Sequence, residues 1–271
     1  MMAGTTGTEW YESQRKRDSD AIASSEAALG PEASVFADAM SVIARCLDAV
    51  FASDSIDSLV VKRKISVAHY AFNLLWSAWN EALAGRYQTA TDHFRSIDEA
   101  PDFLTALHVD PALANVLGAA QRSVKVERAR RAVKDALRRV NQSKAGEWEA
   151  TRLKQAKRVE PLSHVSVEAL GQYLPVVTKD GQTLAVVRPG GMASNTIGRV
   201  VAIQLALHAL QLLLSATNAF IDVAGVRHSD WVGLAEKSGR LAEVLGKELA
   251  GIGSPETVDA VYFALTDEVI G

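Results

Sequence analysis

Residues 69–99 read HYAFNLLWSAWNEALAGRYQTATDHFRSIDE, two helical segments that meet at Gly85. On the first, His69, Asn73, Trp76 and Asn80 recur at helical spacing and share one face. On the second, Asp92, Arg95 and Glu99 do the same. Polar groups inside a packed bundle cost free energy unless each finds a partner. These faces are therefore expected to meet. The segment 69–84 should pack against 86–100 and against a later helix at 194–224. That would bring His69, Asn73, Asn80, Arg95, Glu99 and His208 into one polar cluster.

Outward from this stretch the chain divides into helices. Residues 1–30 are polar and rich in small residues, and they end in Gly30-Pro31, so they are expected to be weakly ordered. From Pro31 an amphipathic helix carries Val35, Phe36, Ala39, Met40, Ile43, Cys46, Leu47, Val50 and Phe51 to about Ala52. After a polar break at Asp54–Ser58, a long helix covers about Leu59 to Ala84, with Gly85 just past its end. The next helix spans Arg86 to about Ala100, where Pro101 should kink or restart it. Asp110-Pro111 opens another, with Asp as cap and Pro at the first helical position.

That helix, Pro111 to about Val140, places Val126, Ala129, Val133, Ala136 and Val140 on a narrow apolar seam with charge around it. The seam suits one neighbour or a second copy of the chain. Asn141–Gly146 interrupts it, and a second basic segment with Trp148 and Leu153 ends at Pro161. Residues 173–188 change to β-branched runs around Asp180-Gly181, the pattern of a β-hairpin. Residues 194–224 are the most apolar. Val200–Ile221 holds no Asp, Glu, Lys or Arg, as a membrane span would. Yet Gln204, His208, Gln211, Ser215, Asn218 and Asp222 form a continuous polar stripe, which fits a central bundle helix rather than a span. A capped helix follows from Ser229 or Asp230 to about Ala250, and Ser254-Pro255-Glu256 opens a short last one. No solenoid repeat is evident.

The fold class expected is mainly α: one multi-helix bundle domain over 31–271, with a basic arm at about 111–158 and a β-hairpin insert. Apolar residues make up 48% of the 271, enough for a large core. The single cysteine excludes an internal disulfide, and no Cys/His cluster has zinc-ligand spacing. The N-terminal residues lack an apolar signal core, so a cytoplasmic protein is expected, without membrane partners. Phosphate-binding GK[ST], GxGxxG, HExxH and GxSxG motifs are absent, which weighs against common nucleotide-driven and hydrolytic chemistry. Net charge is −3, but Arg122–Arg158 carries 13 Lys/Arg against 4 Asp/Glu, a local +9 that leaves −12 elsewhere. Arg128, Arg130, Arg131, Arg138 and Arg139 are thus candidates for an exposed surface that attracts RNA or another polyanion. A solvated helix face is the plainer reading.

Two arginine–histidine spacings stand out: Arg86 with His93, six residues between, and Arg158 with His164, five between. The phrases EPLSHVSVEAL (160–170) and HFRSIDEA (93–100) accompany them. In these residues, over roughly 59–225, the chain resembles the HEPN superfamily of all-helical domains. Many of its members are metal-independent ribonucleases of toxin and defence systems. The departures are Tyr87 and Val159 after each Arg, where active members often have a polar residue, and Pro161 inside the second match. The resemblance implies RNA as partner, a homodimer, no cofactor, and catalysis by Arg86, His93, Arg158 and His164. Histidine suits acid–base steps on a 2′-hydroxyl and a leaving oxygen near neutral pH. Arginine would stabilise charge on the phosphate. Two alternatives stand beside it: a non-catalytic scaffold that holds a partner through its basic helix and hairpin edge, and a small-molecule enzyme using the bundle's polar interior.

Overall fold

The computed structural model describes residues 7–118, 131–136, 138–139, 176–179, 182–185, 196–223, 240 and 243. These residues are predominantly helical and form a bundle. Helix α1 spans Gly7–Ala28, α2 Pro31–Phe51, α3 Leu59–Leu83, α4 Tyr87–Asp92, α5 Phe94–Val109, α6 Leu113–Gly118 and α7 Thr196–Ala219; a 3-10 turn, Asp54–Asp57, links α2 to α3. Strands β1 (Val176–Lys179) and β2 (Gln182–Ala185) pair antiparallel, with Val176 opposite Ala185 and Lys179 opposite Gln182.

The core forms where the apolar stripes converge. In α2 Val35, Phe36, Ala39, Met40, Ile43, Cys46, Leu47 and Val50 are all buried, so its inner face is the one that the periodicity marks. Helix α7 packs against α2, α3 and α5 and touches α4. Its Val201–Ala219 stretch is long and apolar enough to cross a membrane, but 67% of it is buried inside the fold. Burial on several sides explains an apolar composition that one amphipathic face would not need. Polar contacts fix the helix directions. Arg199 in the first turn of α7 meets Glu32 in the first turn of α2 (3.2 Å), so these helices start at the same end. At the other end, buried Lys64 near the start of α3 donates from Nζ to the Ala219 carbonyl (2.7 Å), satisfying an acceptor that a helix terminus leaves open.

Gly85 sits at φ 78°, where a side chain is disfavoured. Its N–H donates to the Ala82 carbonyl (2.9 Å) and the Arg86 N–H to the Glu81 carbonyl (2.8 Å). This is the paired Schellman arrangement, and it brings Arg86 back alongside the last turn of α3.

The structure refines several expectations. Within residues 1–30, Gly7–Ala28 is helical. Their composition is poor in apolar side chains, but Ala21 and Ser25 are buried, and Ser25 Oγ donates to the Leu83 carbonyl at the end of α3 (2.8 Å). The helix beginning near Arg86 does not run unbroken to Ala100, because α4 ends at Asp92 and α5 restarts at Phe94. Pro101 lies inside α5, which continues to Val109 rather than stopping near Ala100. Buried neighbours Ala100 and Leu104 hold that turn in the core, and packing outweighs one missing backbone donor. Asp110 does start a turn, through Oδ1 accepting from the Ala112 N–H (3.2 Å), yet the α6 helix begins at Leu113.

Residues 131–136 and 138–139 of the basic segment are helical. Val133 and Ala136 are buried in a second, smaller apolar cluster with Ala106, Leu107, Leu113 and Ala114. This part of the seam therefore packs on α5 and α6 of its own chain. The second basic segment, the helices expected after Ser229 and Ser254, and the interruption at 141–146 lie outside the described residues, apart from residues 240 and 243, which are helical.

Candidate functional site

The described polar residues are best followed in three places. The first is buried. His208 on α7 is 2% exposed. Its Nδ1 lies 3.0 Å from Asp98 Oδ1 on α5, and its Nε2 lies 3.1 Å from the Gln204 amide nitrogen one turn earlier. Phe94 meets the imidazole edge-on, centroids 5.0 Å apart. The Gln204 amide nitrogen can only donate, so Nε2 is the accepting ring nitrogen and the Nδ1 side faces Asp98. Nε2 is then occupied by the Gln204 amide, and Nδ1 lies against Asp98. The arrangement locks the rotation of α7 against α5.

The second lies at the end of α3. Arg86 Nε donates to Glu81 Oε2, and Arg86 Nη1 lies 3.0 Å from Asp18 Oδ1 on α1. The Arg86 side chain is 40% exposed and that of Asp18 43%. The hydrogen bond to Glu81 and the charges of Glu81 and Asp18 hold Arg86 firmly protonated, against a smaller opposing effect of burial. Among the described residues, no hydrogen bond or ion pair joins Arg86 to His93, which lies between α4 and α5. Arg158 and His164, the other expected pair, lie outside the described residues.

The third is the outer face of α3. His69 and Asn73 are exposed and touch each other (Nδ1 to Nδ2, 3.4 Å), while Asn80 Nδ2 donates to the Trp76 carbonyl of its own helix (2.8 Å). Trp76 is 54% and Tyr70 55% exposed. Asn73 is exposed and Asn80 half-buried, while the opposite face, with Ala71, Leu75, Ala78 and Trp79, fills the core. Arg95 is helical, and Glu99 beside it is half-buried.

Of the basic residues, Arg131, Arg138 and Arg139 are exposed. Arg139 pairs with Asp110 (3.0 Å), and Arg138 lies 3.7 Å from Asp135. Arg128 and Arg130 lie outside the described residues. Among the described residues no three His, Cys, Asp or Glu side chains come together as metal ligands.

Asp98, Gln204, Glu81 and Asp18 are the partners that sequence reasoning missed. Gln204 had a signal, since it stands one turn before His208 on the same stripe. Glu81 had one too: a Schellman glycine at Gly85 folds the next residue back onto it. Asp98 and Asp18 had none, because each partner is distant in sequence.

Comparisons of the chain with protein-family models, with curated proteins and with solved structures found no match.

Proposed function

We propose that this protein is a non-catalytic helical scaffold or interaction module of the cytoplasm, presenting surface groups to a protein partner. The observation that carries the reading is the engagement of its polar groups. Arg86 is held by Glu81 and Asp18 and is not joined to His93, and His208 has a partner at each ring nitrogen. The half-exposed Trp76 and Tyr70 supply a surface of the amphipathic kind that interfaces favour. To test it, labelled single-stranded RNA is incubated with the purified protein and with His93→Ala, and a photocrosslinking residue replaces Tyr70 in cells. The reading expects intact RNA in both reactions and a discrete crosslinked protein. RNA cleavage that His93→Ala abolishes would overturn it.

A second reading keeps the HEPN-like RNA-acting protein, dimeric and set in toxin or defence biology. It is favoured by Arg131 and Arg138, which stay exposed while Val133 and Ala136 of the same stretch are buried. The hairpin insert would then offer a further edge to a partner. Changing Arg130, Arg131, Arg138 and Arg139 to Gln should weaken RNA binding at low salt and flatten its salt dependence. Unchanged binding would remove this reading.

A further inference from the structure

We propose that the exposed seam of α7 is a docking surface for the chain's own residues 229–250, which fold back along it as an antiparallel helix. The seam is the first observation. Most of residues 201–223 are buried, and those that are not fall in one line: Gln204, Leu207, Gln211, Leu214, Asn218 and Ile221. Ser215 and Asp222 border it. The spacings alternate between three and four, the period at which one helix packs along another. Leucine or isoleucine recurs at every seventh position, with an amide between each pair. Leu214 is 50% and Ile221 45% exposed, on a helix that packs on α2, α3 and α5 elsewhere. The line carries no formal charge, so what covers it has to present apolar side chains at the same period.

The sequence that follows has that period. On a helix opening at Ser229, Trp231, Leu234, Leu241, Leu245 and Leu249 share one face with Ser238, while Glu236, Arg240, Glu243 and Lys247 share the opposite one. Arg240 and Glu243 are helical and exposed, as that polar face requires. Gly233, Gly239 and Gly246 each cost a free helix about 1 kcal/mol, so helix here depends on a packing surface for the apolar face. The reach fits as well. The turn after α7 delivers the chain at Val223, beside Ile221 at one end of the seam. Residues 224–228 then give a connection of the length that joins neighbouring antiparallel helices. A helix over 229–250 is about 33 Å long, against roughly 26 Å from Gln204 to Ile221, at 1.5 Å per residue. Running back from the turn, it sets Trp231 level with Ile221, Ser238 with Leu214 and Leu245 with Leu207. The inference does not rest on the scaffold reading, which concerns the outer face of α3.

The test uses the full chain, in which Cys46 is buried and its thiol is pushed up to about 12, so introduced cysteines react alone. Leu214→Cys with Ser238→Cys is oxidised in dilute solution beside a control on the outward face, Leu214→Cys with Glu243→Cys. Circular dichroism checks each fold, and intact mass with non-reducing electrophoresis assigns the link. The Ser238 pair should close a disulfide within one chain, and the Glu243 pair should stay reduced. A second readout needs no crosslink. Alkylation of Leu214→Cys should become several-fold faster when Leu241→Asp and Leu245→Asp remove the apolar face of the segment. A link formed between two chains assigns the seam to a second copy and overturns the proposal. So does a folded Ser238 pair that stays reduced or closes no faster than the control, and so does an alkylation rate that the two aspartates leave unchanged.

Discussion

Helices α3 and α7 carry polar stripes of the same kind, His69-Asn73-Trp76-Asn80 on one and Gln204-His208-Gln211-Ser215 on the other. One stripe faces water, and its members bond to each other or to their own helix. The other runs into the fold at His208, where Asp98 and Gln204 hold the ring. The difference teaches that spacing defines a face but not the direction in which it points. Helix α3 has a strongly apolar opposite face, so burying that side leaves the polar one outside. Helix α7 is apolar and packed on several sides, so its buried stripe member His208 has to find partners within, while Asn218 of the same stripe is exposed.

The largest expected effect lies on the inner side of α3. Trp79 is buried and stacks on Phe36, centroids 4.1 Å apart and planes within 8°. Trp79→Ala should cost about 3–5 kcal/mol in urea unfolding. Native alkylation offers an independent readout. Cys46 is fully buried, and burial pushes its thiol up to about 12, so at pH 8 it reacts only through unfolding. Trp79→Ala should speed that reaction markedly; a rate equal to the parent's would mean that α3 is not packed as described.

The buried stripe comes next. Asp98→Ala leaves the His208 Nδ1–H without its acceptor and should cost about 1–3 kcal/mol. Replacing Asp98 and His208 together with leucine should cost less than Asp98→Ala alone, because no buried donor is then left over. A double variant less stable than the single one would show that the pair stabilises the fold beyond satisfying its own polar atoms.

Smaller effects separate thinly docked from solvated groups. Ser25→Ala removes one buried hydrogen bond and should cost about 1 kcal/mol. Hydrogen exchange should show the loss within Gly7–Ala28 while the core amides keep their protection. On the outer stripe, Asn73→Ala and Trp76→Ala should each change stability by less than about 0.5 kcal/mol. A larger loss at Trp76, set against the loss at Trp79, would mean that the outer face of α3 is covered.

The helical character of the chain, and most of its element boundaries, follow from local signals that the sequence states outright. Pro31 can only open a helix, Gly85 takes the positive φ that ends one, and the Val35–Val50 period marks a buried face. These act between residues a few positions apart, so no tertiary information is needed to see them. The errors arose where the outcome depends on distant residues. Helical spacing groups Asp92, Arg95 and Glu99, and no local signal marks Asp98, which meets His208, 110 positions further along. Helix α1 lacks an apolar stripe, and its order rests on the Leu83 carbonyl and on Arg86, neither visible from residues 1–30. Pro101 breaks a local rule and is tolerated because the surrounding core holds the turn. Periodicity and caps are properties of a short stretch of chain. Which polar face is buried, and which charge meets which, depends on free energies that exist only after the helices have packed.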